Sequence, residues 1–146
     1  MRLTFHSDYA LRVLIYLAVH PDRRATAEQI ASAYGISRNH IAKVVQRLAH
    51  FGFVQTLRGR SGGMKLARPA EEISVGAVLR VTEENFDLVE CFRPDNDCCI
   101  TPVCRLKSAL KAATGAYLQV LDEWTLDELV VKRRGLARRL VVSAQA

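Results

Sequence analysis

The stretch Thr26-Ala-Glu-Gln29-Ile-Ala-Ser-Ala-Tyr34-Gly35-Ile36-Ser37-Arg38-Asn39-His40-Ile41-Ala-Lys43-Val44-Val45-Gln-Arg47-Leu48 decides the fold. Thr26 and Gln29 have the spacing of a capping box, in which each side chain satisfies a backbone N–H of the other at a helix start. The helix they open runs to Tyr34, and Gly35 permits a tight turn. Ser37 is the expected N-cap of a second helix, with Ile36 and Ile41 placed as a hydrophobic staple. Ile41, Val44, Val45 and Leu48 recur at helical spacing and face inward. Arg38, Asn39, His40, Lys43 and Arg47 are left for solvent or a partner. Helix, glycine turn and a second helix with a polar, basic start is the helix-turn-helix arrangement. Its second helix enters the major groove, where its first residues meet base edges. Arginine and asparagine suit bidentate contacts to guanine and adenine. The candidate DNA contacts on this helix are Ser37, Arg38, Asn39, His40 and Lys43.

A helical hairpin without DNA is the bland alternative, and the next segment counts against it. Residues 53–57 and 64–68 read as two strands, the second stopped by Pro69. Between them Arg58-Gly-Arg60-Ser-Gly-Gly63 is a flexible basic tip. This hairpin stands where a winged helix-turn-helix carries its wing, and Arg58 and Arg60 are its candidate contacts to phosphate or the minor groove. The tip is not a nucleotide-phosphate loop, because its spacing is not Walker-type and no helix start follows.

Upstream, Ser7 is the expected N-cap of a first helix with Asp8 in its first turn, where an acid complements the helix dipole. Leu11, Leu14, Ile15 and Ala18 form its expected buried stripe, and His20-Pro21-Asp22 ends it. Charge follows the same division. Residues 1–70 hold 11 Lys/Arg against 3 Asp/Glu, whereas residues 71–97 hold 2 against 8. A basic head suits a polyanionic partner better than solvation alone explains.

Downstream, Ser74 is placed to cap a short helix to about Val81, and the acidic segment 83–97 leads into a loop. All four cysteines lie between Cys91 and Cys104: Cys91-Phe-Arg-Pro-Asp-Asn-Asp-Cys98-Cys99-Ile-Thr101-Pro102-Val-Cys104. Thr101-Pro102 reads as a helix start, which puts Cys104 in the first turn, where the dipole favours a thiolate or an anionic group it ligates. Val103, Leu106, Leu110, Ala113, Tyr117, Val120 and Trp124 then alternate by threes and fours, a heptad seam suited to a partner helix. Thr125 and Glu128 form another capping box, and Arg138 and Arg139 lie beyond Gly135 in a tail expected to be solvated and frayed. On spacing alone the cysteines suit an iron–sulfur cluster or a zinc ion. A two-cysteine redox switch leaves two thiols unexplained, and buried inert thiols do not suit so polar a loop.

The chain of 146 residues, 49% hydrophobic and 25% charged, has the composition of a folded domain rather than a disordered one. No apolar run approaches the ~18 residues of a membrane span, and the N-terminus lacks the pattern of a signal peptide. A cytoplasmic location with no membrane partner follows as the expectation, and there clustered cysteines point to metal or redox chemistry. No nucleophile–base or paired-acid constellation suggests an enzyme. A small electron carrier is the rival from another class, and the basic head and wing argue against it.

Thr4…Ser7-Asp8-Tyr9-Ala10-Leu11-Arg12, Gly35-Ile-Ser-Arg-Asn-His40, Arg58-Gly-Arg-Ser-Gly-Gly63 and Cys98-Cys-Ile-Thr-Pro-Val-Cys104-Arg-Leu-Lys107 together resemble the nitric-oxide-sensing repressors called NsrR. These belong to the Rrf family of winged-helix iron–sulfur transcriptional regulators. The resemblance covers about residues 1–130, and the Cys-x-Ile-Thr-Pro-x-Cys-Arg-Leu-Lys piece is its most specific part. It implies a homodimeric repressor on double-stranded operator DNA that releases nitrosative-stress genes when nitric oxide reaches its cluster. It implies an iron–sulfur cluster, 4Fe–4S ahead of 2Fe–2S, held by Cys91, Cys98 and Cys104, with Asp8 supplied by the partner subunit. Cys99 departs from the family pattern and is an alternative ligand. Lys107 stands where the related regulator of cluster assembly has a ligating histidine, which argues against that subtype. The expected fold is mainly α with a small β-hairpin wing, a winged helix-turn-helix followed by a long C-terminal dimerisation helix. The expected divisions are residues 1–82 for DNA binding, 83–104 for the cluster loop, and 102–146 for the dimerisation helix and tail. The competing function on this fold is a regulator sensing iron or redox state, or one carrying structural zinc.

Overall fold

A computed structural model of the chain describes residues 2–59 and 62–142, the side chains of residues 141 and 142 excepted. Seven α-helices and one hairpin are present among these residues: α1 Phe5–Val19, α2 Ala27–Tyr34, α3 Arg38–His50, β1 Val54–Leu57, β2 Gly63–Leu66, α4 Val75–Thr82, α5 Arg105–Glu123, α6 Leu126–Leu129 and α7 Arg133–Val142. The expected fold class is the observed one, mainly helical with a two-stranded wing.

Helix α1 is the centre of the core and packs against α3, α4, α6, α7 and β2. Its inward residues are Ala10, Val13, Leu14, Tyr16, Leu17, Ala18 and Val19, while Leu11 and Ile15 are only half-buried. The buried arc is wider than a single stripe because helices cover α1 on several sides. Its N-cap is Thr4, whose hydroxyl accepts from the Ser7 N–H at 3.2 Å, and not Ser7. Ser7 is fully buried inside the helix, and its hydroxyl lies 2.8 Å from that of Thr82.

The helix-turn-helix forms as its punctuation demands. The capping box of Thr26 and Gln29 is made in both directions. Gly35 takes the left-handed conformation at φ 63°, which closes α2 in the way glycine favours. Ser37 precedes α3 without a side-chain capping bond. Ile41, Val44, Val45 and Leu48 are all buried. The hairpin pairs Val54 with Leu66 through Leu57 with Gly63, antiparallel. Ala25 and Met64 exchange two backbone bonds of 3.0 and 2.7 Å, which fix the base of the wing to the segment entering α2.

Ser74 caps α4, accepting from Ala77 N–H at 3.1 Å. Helix α4 is clamped to α5 by a two-pronged ion pair between Arg80 and Asp122, with Nη2 to Oδ2 at 2.7 Å. The carboxylate lies across Gly76, where any Cβ would overlap it, so this position admits only glycine without displacing the clamp. The Arg80 bond holds the Asp122 carboxyl below its usual 3.8, and the Thr125 N–H holds Glu128 below its usual 4.5. Lowered native values mean stability present above the ordinary carboxylate range and lost as pH falls through those lowered values. Asp122→Asn is therefore expected to flatten the acid limb of a urea-midpoint-against-pH curve, and a limb as steep as the wild type's would contradict the clamp.

The long helix begins at Arg105 with Cys104 as N-cap, three residues later than Thr101-Pro102 suggests. The Thr101 hydroxyl instead donates to Asn96 Oδ1 at 2.8 Å, within the loop. The helix has 19 residues, a rod of about 28 Å at the usual rise per residue. Residues 133–142 are not a frayed tail. Helix α7 packs on α1 and α2 through Leu136, Ala137 and the buried Leu140, and Leu126 and Val130 join the same core. The apolar positions that dock it keep helical spacing, but they are few and stand among Arg133, Arg134, Arg138 and Arg139, which hid the helix in the sequence. No helix among the described residues is long and apolar enough to cross a membrane.

Candidate nucleic-acid interface and metal centre

Ser37, Arg38, Asn39, His40 and Lys43 are all exposed along the N-terminal half and outward side of α3. The buried positions of the same helix force this, because a helix packing Ile41, Val44 and Leu48 inward must turn its other positions out. Arg38 has a loose partner, Glu28 at 3.7 Å, and both side chains are largely exposed. Such a pair is worth under ~1 kcal/mol and leaves the guanidinium available. His40 lies against the Tyr9 ring of α1, with centroids 6.1 Å apart. Lys43 borders an open hollow of about 730 Å³ with His6, Gln46, Arg47 and His50. Arg58 is exposed at the wing, and Arg60 lies outside the described residues.

Arg47 is exposed as expected but is also tied to its own chain. Its Nε donates to the Val81 carbonyl at 2.7 Å, and its guanidinium stands 4.9 Å from the Phe51 ring centre. Arg12 is a further engaged residue that sequence reasoning missed. It grips Asp8 through Nε to Oδ1 at 3.1 Å and Nη2 to Oδ2 at 2.8 Å. Its guanidinium also stands 5.9 Å from the Tyr9 ring centre and 5.8 Å from that of Tyr34. Burial pushes the Tyr34 hydroxyl up to about 12. The four-residue spacing of Asp8 and Arg12 was the available signal.

The cysteines are unpaired. Cys91 lies in a single 3₁₀ turn, Glu90–Phe92, and Cys98 and Cys99 follow in irregular chain. Cys104 occupies the α5 N-cap with no side-chain capping bond. Cys91, Cys98 and Cys104 are half-buried, while Cys99 is exposed. Polar contacts brace the loop: Asn96 Nδ2 to Arg93 O at 3.0 Å, Asp97 N–H to Glu90 Oε1 at 3.0 Å, and Thr101 N–H to Cys98 O at 3.1 Å. Among the described residues no three His, Cys, Asp or Glu side chains converge as a metal-ligand group, and Asp8 is engaged with its own chain's Arg12. In kind the donors fit a thiolate-ligated cluster, since three soft, unpaired thiols stand on one irregular loop. Beyond the loop, the seam of α5 is largely uncovered. Leu106 is 62% exposed and Val120 55%, with Val103 ahead of the helix at 82% and Trp124 at its end at 49%, and Thr114 is the residue the helix buries.

Fold and exposed face together define a winged helix-turn-helix DNA-binding transcription regulator. Residues 3–132 match the Rrf2 family, described as iron-dependent transcriptional regulator. Two proteins named HTH-type transcriptional regulator NsrR are similar to it over nearly their whole lengths. One, from Halalkalibacterium halodurans, is 48% identical over 132 residues, covering 89% of this chain and 90% of the relative. The other, from Bacillus subtilis, is 47% identical over 142 residues, covering 96% and 97%. Among solved structures, T. potens IscR superposes with a TM-score of 0.72 at 25% identity over 89% of this chain and 86% of that one. The oxidized form of Staphylococcus aureus CymR gives 0.72 at 27% identity, covering 90% and 97%. The chain belongs to the Rrf2 family of transcriptional regulators, and within that family its likeness is to the NsrR regulators. It is a regulator and not an enzyme.

Proposed function

We propose that the chain is a cytoplasmic, homodimeric repressor that binds double-stranded operator DNA and senses nitric oxide through an iron–sulfur cluster. The observation that carries the reading is the coexistence of an outward polar face at residues 37–43 with unpaired thiols confined to the single loop that joins α4 to α5. Residues 1–82 hold the DNA, residues 83–104 the cluster, and residues 102–146 the dimerisation helix and tail. Cys91, Cys98 and Cys104 hold the cluster, and the partner subunit's Asp8 completes it, with Cys99 as the alternative. When bound, the cluster supplies iron atoms open to attack by nitric oxide, in the 4Fe–4S form ahead of 2Fe–2S. Arg12 sets the position of Asp8, and the lone pairs its two bonds leave free are the ones that serve the other subunit. The exposed α5 seam pairs with its own copy, and two α3 helices then read half-sites separated by whole helical turns.

Ser37, Arg38, Asn39, His40 and Lys43 contact bases and adjoining phosphates, and Arg58 and Arg60 hold the flanking backbone. Enrichment of duplexes from a random pool by the full chain tests this reading. An inverted repeat is expected, and enrichment of no sequence would sink it. Arg58→Ala is expected to weaken binding to the enriched duplex and to reduce the log–log salt slope by about 0.9, the share of one phosphate. An unchanged slope in fluorescence titrations would remove Arg58 from the phosphate contacts. The family's iron-dependent description favours a second reading, a regulator answering to iron supply, and titrating iron against nitric oxide separates the two.

A further inference from the structure

Arg47 lies on the outward side of α3 one turn beyond Lys43, where contact with a phosphate is the ordinary expectation for an arginine. The guanidinium is instead anchored on its own chain, with Nε on the Val81 carbonyl at 2.7 Å and the group beside the Phe51 ring. Val81 belongs to the last turn of α4, and Glu83 opens the loop that carries every cysteine. The two residues after Val81 are gripped by α1 and its N-cap. The Thr82 hydroxyl donates to Val78 O at 3.0 Å, so in its 2.8 Å contact with the buried Ser7 hydroxyl it is the acceptor. The Thr4 N–H and hydroxyl reach Glu83 Oε1 at 2.9 and 3.0 Å. The root of the cysteine loop is thus held by α1 on one side and by α3 on the other. His6 of α1 lies in the same hollow. Burial and then the charge of Arg47 hold its imidazole below its usual range, which agrees with a guanidinium turned toward α1.

We propose that Arg47 is a positioning residue: its bond to the Val81 carbonyl fixes the DNA-reading helix to the root of the cysteine loop, and displacement of that root carries the helix with it. The inference rests on DNA reading by α3. A phosphate contact and a positioning contact differ in their salt signature, because only the first displaces counterions from DNA.

The test compares full-length wild type, Arg47→Ala, and the double variant Ser7→Ala with Thr82→Val in binding to the enriched duplex across a range of salt. The double variant removes both partners of a buried contact, which leaves neither unsatisfied, and changes no charge. Arg47→Ala is expected to weaken binding about tenfold with the salt slope unchanged, as for a lost fixed contact and not a lost phosphate. The double variant is expected to weaken it by about threefold, also at unchanged slope. A slope lowered by about 0.9 in Arg47→Ala, or wild-type affinity in either variant, overturns the inference. A wild type that binds no duplex above non-specific level overturns the DNA reading and this inference with it. Wild-type binding with the wrong variant behaviour strikes the inference alone.

Discussion

Alanine at Cys91, Cys98 or Cys104 is expected to give a colourless protein that has lost tight operator binding, a fall of about a hundredfold or more toward non-specific affinity. The three thiols share one loop and none is engaged in a disulfide, so each substitution removes a donor without cutting a covalent staple. The loop's own bracing by Glu90, Asn96 and Thr101 is untouched, and the core that folds the head lies elsewhere. Thermal unfolding of the cluster-free variants should therefore match that of the cluster-free wild type. Cys99→Ala is expected to retain colour and binding, because Cys99 is exposed where the other three cysteines are half-buried. Iron and sulfide analysis beside operator titrations checks the set. Unaltered binding in all three single variants would falsify the cluster's role.

Two substitutions on α3 are expected to act in opposite ways. Ile41 is fully buried on the inner side of α3, and Ile41→Ala should cost about 2–5 kcal/mol of folding stability through lost burial and the cavity left behind. Asn39 is exposed two residues earlier, and Asn39→Ala should leave stability within ~0.5 kcal/mol of wild type. The second variant should lose about 1–3 kcal/mol of operator binding and relax the preference at one base pair. Urea unfolding and duplex selection on both proteins measure the contrast. A stability loss from Asn39→Ala as large as that from Ile41→Ala would mean that the outward face of α3 supports the fold and does not read DNA.

The helix-turn-helix was legible because its signals are local. Thr26 and Gln29 satisfy each other within one turn, Gly35 is free to adopt a left-handed φ, and the apolar positions of α3 keep one helical period. The features that escaped the sequence depend on partners outside the local pattern. Ser7 has the chemistry of a cap, but a hydroxyl 75 positions away claims it, and Thr4 caps in its place. Thr101-Pro102 has the chemistry of a helix start, yet Asn96 captures the threonine hydroxyl and the helix waits until Arg105. Helix α7 docks through Leu136, Ala137 and Leu140 against residues of α1 and α2 that are distant from it in the chain. The same holds at the candidate site. The outward polar face of α3 follows from helical period, whereas the engagement of Arg47 with Val81 joins residues 34 positions apart. The four cysteines mark their loop by composition alone, and the exposure of Cys99 agrees with its departure from the family pattern.

The most direct measurement takes the full chain purified without oxygen, determines its iron and sulfide, and follows operator binding as nitric oxide is added. A brown protein with about equal iron and sulfide is expected, whose colour shifts and whose operator affinity collapses over the same additions. A colourless protein carrying zinc, or operator affinity that stays constant while the colour is lost, would contradict nitric oxide sensing through the cluster.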